Sequence, residues 1–97
     1  YAIGVDSDQK HINPDVILCS MLKRVGDSVY DVISRYLEDG TFDGGAIWEA
    51  DMSTGLVAVG YGDEETMTQQ VSDELKAEVE ALAQEIIAGN IVVESTR

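Results

Sequence analysis

Runs of apolar residues alternate with polar segments along the chain, and the first two runs are typical of buried strands in length and β-branched content. The first run, residues 1–5, ends in a polar stretch at residues 6–8, and the second, residues 16–22, ends at the basic pair 23–24. The polar segment 9–15 between them contains the sole proline, which lacks a backbone donor, so we expect a surface connection there.

Two later segments carry apolar residues at the spacing of an amphipathic helix. The first has Asp27 or Ser28 as its expected N-cap, and Gly40 lies just past its end. The second has Ser72 as its expected N-cap and is expected to end at Gly89. The two apolar stripes consist of Val29, Val32, Ile33, Tyr36 and Leu37, and of Leu75, Val79, Leu82, Ala83, Ile86 and Ile87.

Short apolar runs elsewhere predict additional strands. Residues 46–49 and 56–60 are expected to form two strands joined by a turn at 53–55, and residues 91–93 a last short strand. The acidic segment 61–70 has no sustained period and is expected to be a loop. Strands that alternate with capped helices predict an α/β architecture with parallel strand pairing.

Composition limits the size and the partners of this unit. A chain of 97 residues with 44% hydrophobic content can build one modest core, which suits one domain or one lobe of a larger protein. Because the chain opens at Tyr1 inside an expected strand, we expect it to be a piece of a longer protein. A formal charge of −13 repels phosphate backbones and anionic lipid headgroups, so a role in binding nucleic acid or a membrane surface is not expected.

Charged residues at the ends of the first two strands are the main candidates for chemistry. Asp6 and Asp8 follow the first strand, at the sheet edge where open α/β sheets bind ligands, and a carboxylate there can accept hydrogen bonds from sugar hydroxyls. Lys23 or Arg24 would lie near Asp6 if the two strands are neighbours. From the spacing alone, a loop cap explains Asp6 and Asp8 equally well, and a solvated pair at the strand end is the favoured interpretation of Lys23 and Arg24.

Other side chains give weaker indications. His11 is the sole histidine and Cys19 the sole cysteine, so neither a histidine metal cluster nor an intrachain disulfide is expected. No glycine-rich phosphate loop is present. Trp48 and Tyr61 either line a cleft or fill the edge of a core.

Several segments, in the same order, resemble motifs of the basic membrane protein family of bacterial solute-binding lipoproteins. Residues 3–9 (IGVDSDQ) resemble the family's GVD-x-DQ strand and loop, and residues 16–25 (VILCSMLKRV) resemble its VLTSxxKRV segment. Residues 29–33 (VYDVI), 40–45 (GTFDGG) and 86–93 (IIAGNIVV) are similar to its AVYDAI helix, GKFKGG turn and IISGKIKV ending. The resemblance covers nearly the whole chain.

The resemblance implies a fold and a setting. Family members resemble type I periplasmic binding proteins, in which two α/β lobes enclose a ligand in the cleft between them. Residues 1–97 would form the C-terminal portion of such a two-lobe domain, with a parallel sheet and flanking helices. The family also implies an extracytoplasmic lipoprotein or periplasmic protein that delivers its ligand to an ABC permease, with no catalysis and no cofactor.

The resemblance further implies a ligand and its contacts. The family's GVD aspartate and KRV lysine contact the ribose hydroxyls of a nucleoside, expected to be a purine, and these residues correspond to Asp6 and Lys23, with Asp8 beside them. The family's hairpin is poorly matched over residues 50–59, and Ser7 replaces an apolar residue. The alternatives are a ligand sensor with the same fold and a sugar- or nucleotide-processing enzyme domain that uses the two aspartates. A lone lobe is also expected to homodimerise through its exposed surface.

Overall fold

A computed structural model of the chain describes residues 1–94, which form a three-stranded sheet, two longer helices and two single-turn 3-10 helices. In chain order the strands and longer helices are β1 (Ala2–Asp6), β2 (Ile17–Lys23), α1 (Val25–Asp39), β3 (Val57–Gly60) and α2 (Asp73–Ile87). The 3-10 helices are Lys10–Ile12 and Met52–Thr54. The predicted α/β class is confirmed, as are the first two strands and the strand after the turn.

The sheet has the order β1-β2-β3 and is mixed rather than parallel throughout. β1 and β2 pair in parallel, as expected, whereas β3 runs antiparallel to β2. The backbone N–H of Arg24, directly after β2, donates to the carbonyl of Leu56 at 2.8 Å. The chain therefore returns to the sheet beside the C-terminal end of β2. From there β3 runs antiparallel to β2.

The two remaining strand predictions are wrong. Residues 46–49 and 91–93 have no regular secondary structure, and Ile47 and Val92 are 91% and 81% exposed. A strand exists only where its backbone groups pair with a neighbour. Within residues 1–94 neither segment lies beside another strand, so its apolar content alone does not make it one.

Both predicted helices are present, with small differences at their ends. α1 begins at Val25, before the expected cap, and the Ser28 hydroxyl donates to the Val25 carbonyl instead of capping the helix. Gly40 ends α1 in the left-handed conformation with φ +73°, as predicted. The Ser72 hydroxyl accepts the Leu75 N–H at 3.2 Å and caps α2, which ends at Ile87.

Apolar burial in the described residues is slight. Leu56 and Ala83 are the buried hydrophobic residues of this part of the chain, and α1 contributes none. The Cα radius of gyration is 16.1 Å, whereas a compact chain of this size has a value of about 13 Å. The apolar stripe of α1, typical of a helix that faces a core, is therefore largely open to solvent. No helix in the described part is long and apolar enough to span a bilayer.

Candidate functional site

Asp6 and Lys23 meet at the edge of the sheet where β1 and β2 end. The register pairs Asp6 with Leu22, the residue before Lys23. Lys23 Nζ lies 3.2 Å from Asp6 Oδ1, and the two side chains are 59% and 68% exposed. The prediction that neighbouring strands bring a cation to Asp6 is confirmed, and both groups remain accessible to a ligand.

The backbone of Asp6 has an unusual conformation. Its φ is +74°, and among the described residues it is the one non-glycine residue with positive φ. The N–H of Ser7 donates to the Val5 carbonyl at 3.0 Å, which closes a three-residue γ-turn around Asp6. Such a turn is strained, and strained backbone is concentrated at binding and catalytic sites. The turn ends β1 at Asp6, whose carboxylate pairs with Lys23.

An open depression of about 500 Å³ lies beside this pair. The turn after β1 forms one side, and Leu22 and Lys23 at the end of β2 form the floor. The first turn of α1, at residues 25–27, forms the other side, and no side chain caps its N-terminus. The first N–H groups of a helix lack intrahelical partners and carry partial positive charge. The depression thus combines a carboxylate acceptor with ammonium and amide donors, a set that suits a ligand with adjacent hydroxyls.

Asp8, the third predicted ligand residue, borders the same depression but has both carboxylate oxygens occupied. Oδ1 accepts the Lys10 backbone N–H at 3.1 Å, and Oδ2 accepts the Gly62 N–H at 2.8 Å. These bonds join the turn after β1 to the segment after β3. In this chain the Asp8 carboxylate therefore stabilises the position of the turn after β1. Its role as a ligand contact stays a prediction.

Lys10 contradicts the expectation that residues 9–15 form only a surface connection. Its side chain is fully buried, and its ammonium donates to the Ile17 carbonyl at 2.6 Å and to Gln70 Oε1 at 2.7 Å. The Leu18 and Pro14 carbonyls lie at 3.3 and 3.4 Å. A polar segment with one proline gives no periodicity from which a buried lysine could be predicted. The physical reason is local, because carbonyl dipoles replace the water that the ammonium loses.

The buried Lys10 ammonium also affects the thiol of Cys19 on β2. Burial raises the pKa of the Cys19 thiol, the nearby Lys10 ammonium lowers it, and the Asp8 carboxylate raises it. Cys19 lies on β2, directly after Leu18. The Asp8–Lys10 segment therefore lies near the Cys19 side chain of β2.

A tight contact between β1 and β2 also positions the turn. The Ser20 hydroxyl is fully buried and accepts the Gln9 N–H at 3.1 Å, and Gln9 Oε1 accepts the Val5 N–H at 3.4 Å. A Cβ added to Gly4 would collide with Ser20 Oγ and lie 3.1 Å from Gln9 Cβ. Only a residue without a side chain fits at this point, so residues 7–10 can fold back over the end of β1.

The weaker candidates lie outside the depression. His11 is exposed, with Nδ1 3.1 Å from the Asp8 carbonyl. Trp48 is half-exposed and stacks under the Arg35 guanidinium at 5.5 Å, and Tyr61 faces the Lys76 ammonium at 4.8 Å. Residues 1–94 contain no cluster of three or more His, Cys, Asp or Glu side chains suited to a metal.

Comparison with known proteins identifies the family of this chain. The model of a family described as "ABC transporter substrate-binding protein PnrA-like" matches residues 1–97. Basic membrane protein C of Borreliella burgdorferi is 30% identical over 93 residues, which are 96% of this chain and 25% of that protein. Basic membrane protein A of the same species is 34% identical over 97 residues, 100% of this chain and 27% of that protein. Basic membrane protein A2 of Borrelia garinii subsp. bavariensis is 36% identical over 93 residues, 96% and 26% respectively.

The chain spans about a quarter of the length of these curated relatives. The family match, by contrast, extends over all 97 residues. It includes both strand ends that carry Asp6 and Lys23. The chain belongs to the PnrA-like family of ABC-transporter substrate-binding proteins.

Proposed function

We propose that this chain is the C-terminal portion of a two-lobe solute-binding protein that captures a nucleoside outside the cytoplasm for an ABC importer. The observation that carries the proposal is the exposed Asp6–Lys23 pair, 3.2 Å apart at the edge of the depression. The chain binds its ligand through these groups and breaks no bond. A purine nucleoside is the expected ligand, recognised here through its ribose.

The chemistry of the pair supports this assignment. A carboxylate accepts from a hydroxyl and an ammonium donates to one, so the two groups can bind the adjacent hydroxyls of a ribose together. As an exposed ion pair they attract each other weakly in water, so little is lost when a ligand comes between them. Closure of a second lobe over the depression would exclude water and strengthen both charge-assisted hydrogen bonds.

The shape of the site supports a role as one wall of a cleft. The depression is open, and binding sites for small ligands enclose most of the ligand surface. The remaining wall, and the contacts to the base, would come from the other lobe of the intact protein. Asp8 would act at the margin of the site, where its oxygens already accept backbone N–H groups.

The experiment is isothermal titration of adenosine, guanosine, inosine and ribose into the intact protein that contains this chain. Asp6→Asn removes the charge and introduces asparagine, which also tolerates positive φ. Lys23→Met removes the charge and keeps the length of the side chain. Each change is expected to weaken the binding of a nucleoside about 10- to 150-fold, the range for a lost charge-assisted hydrogen bond.

Asp31→Asn is the matched control, because Asp31 is an exposed carboxylate on α1 outside the depression. It is expected to leave the affinity unchanged. Unchanged affinity in Asp6→Asn and Lys23→Met would contradict the assigned site. Binding of ribose alone with the affinity of a nucleoside would replace the nucleoside by a free sugar as the ligand.

A further inference from the structure

The pairing of β1 with β2 is interrupted once, beside Lys10. Ala2 pairs with Ile17, but the next residue of β1, Ile3, pairs with Cys19, so Leu18 has no partner on β1. This is a β-bulge, in which one strand holds an extra residue. From Ile3 onward the register stays regular to the pair Asp6–Leu22.

The bulge directs two successive carbonyls to the same ammonium. In a regular strand the carbonyls of neighbouring residues point to opposite sides, toward different neighbouring strands. Here Lys10 Nζ lies 2.6 Å from the Ile17 oxygen and 3.3 Å from the Leu18 oxygen. The fully buried ammonium therefore donates to both carbonyls on either side of the bulge.

We infer that Lys10 is a positioning residue of the binding site, which fixes the bulge at Leu18 and thereby the register that brings Lys23 to Asp6. Without the bulge, the pairing of Ala2 with Ile17 would continue and place Asp6 opposite Met21. Lys23 would then lie one residue, about 3.3 Å, further along β2. The ion pair, now 3.2 Å long, would be lost.

Gln70 and Asp8 complete this arrangement from two sides. Gln70 Oε1 accepts from the Lys10 ammonium at 2.7 Å, while its Nε2 donates to the Pro14 carbonyl at 2.5 Å. The Asp8 carboxylate accepts the Lys10 backbone N–H and the Gly62 N–H. Lys10 is thus held at its ammonium by Gln70, from the segment after β3, and at its backbone by Asp8, whose other oxygen accepts from Gly62 in that same segment.

The inference rests on the proposed function only for the meaning of the Asp6–Lys23 pair, since the register can be measured without a ligand. Ile3 and Cys19 are Cα partners, so Ile3→Cys in the intact protein is expected to form a 3–19 disulfide under mild oxidation. Peptide mapping by mass spectrometry gives its rate of formation. Because the Lys10 ammonium also lowers the pKa of the Cys19 thiol, the rates are measured over a range of pH and compared at equal thiolate fraction. At equal thiolate fraction, adding Lys10→Met is expected to slow this disulfide severalfold, because the bulge loses its ammonium.

When Ile3 is left unchanged, Lys10→Met is expected to weaken nucleoside binding about tenfold or more, measured with a nucleoside that binds the unchanged protein. This is the effect of losing one well-placed contact. Lys76→Met is the control. Lys76 is another largely buried ammonium, on α2, and its hydrogen bonds go to Glu64 and Gln69 rather than to the carbonyls of β2. It is expected to lower stability in urea while leaving both the disulfide rate and the affinity unchanged.

Gln70→Leu serves as a milder variant, since it removes the side-chain acceptor and leaves the three carbonyls. It is expected to shift both readouts in the same direction as Lys10→Met, by less. Unchanged disulfide rates in Lys10→Met and Gln70→Leu would overturn the inference, as would equal losses in Lys76→Met. If these variants form the 3–19 disulfide more slowly but the intact protein binds no nucleoside, the role of Lys10 is supported and the proposed ligand is wrong.

Discussion

Asp6 combines a side chain of the proposed binding site with a strained backbone. The γ-turn gives it φ +74°, and the carboxylate contacts Lys23. Aspartate and asparagine occur at positive φ more often than most residues, but glycine adopts it without a steric penalty. The residue type therefore reflects a compromise in which a usable carboxylate is retained at some cost in stability.

This compromise predicts the order of stabilities at position 6. Asp6→Gly is expected to unfold at the same or a higher urea concentration than the unchanged protein, whereas Asp6→Ala is expected to be less stable than Asp6→Gly by about 1 kcal/mol. Both variants lose the carboxylate, so the comparison isolates the backbone. Chemical unfolding followed by circular dichroism measures it, and equal stability of the two variants would show that the turn carries no strain.

At the scale of secondary-structure elements, what the sequence predicts depends on where the determining contacts lie. α2 follows from signals within its own segment, the Ser72 cap and an apolar stripe, and it was predicted closely. The strands predicted at 46–49 and 91–93 are absent because a strand needs a partner that no local pattern supplies. Long-range pairing, unlike capping, is decided by the path of the whole chain.

The candidate site divides in the same way. The meeting of Asp6 with Lys23 was predictable, because neighbouring parallel strands end at the same edge. The bonds from Lys10 to Gln70 and from Asp8 to Gly62 were not, because they join residues far apart in sequence whose proximity has no motif. The sequence thus indicates which charged groups meet at this edge of the sheet, while the groups that hold them there are visible only in the structure.

Packing between β1 and β2 gives a prediction at this scale. Gly4→Ala is expected to destabilise the protein by about 1 to 3 kcal/mol, because the new methyl group enters the space of the buried Ser20 hydroxyl. Gly26→Ala is the control, since a Cβ there meets no atom within 4 Å and alanine favours the helix. Urea unfolding of both variants measures the effect, and equal stability of Gly4→Ala and the unchanged protein would refute the tight contact.

At the scale of the whole molecule, the described residues form a sheet edge with a site but only a slight core. Within residues 1–94 the buried apolar side chains are Leu56 and Ala83, and the α1 residues Val29, Ile33, Tyr36 and Leu37 are each more than half exposed. Contiguous apolar surface of this kind on a soluble chain usually contacts protein. The site and this surface are separate, since the depression contains only the first turn of α1.

The α1 surface predicts how this chain behaves when produced alone. We expect it to self-associate reversibly, because pairing two copies removes the apolar stripe from water despite the formal charge of −13 on each. Ile33→Glu is expected to shift the chain toward monomer, since it puts a charge in the middle of the stripe. Ser34→Glu adds the same charge on the other side of α1 and is expected to leave association nearly unchanged.

Sedimentation velocity over a concentration series measures the distribution between monomer and associated chains. A monomer at high concentration would exclude this association, and equal effects of the two glutamates would attribute it to net charge rather than to the stripe.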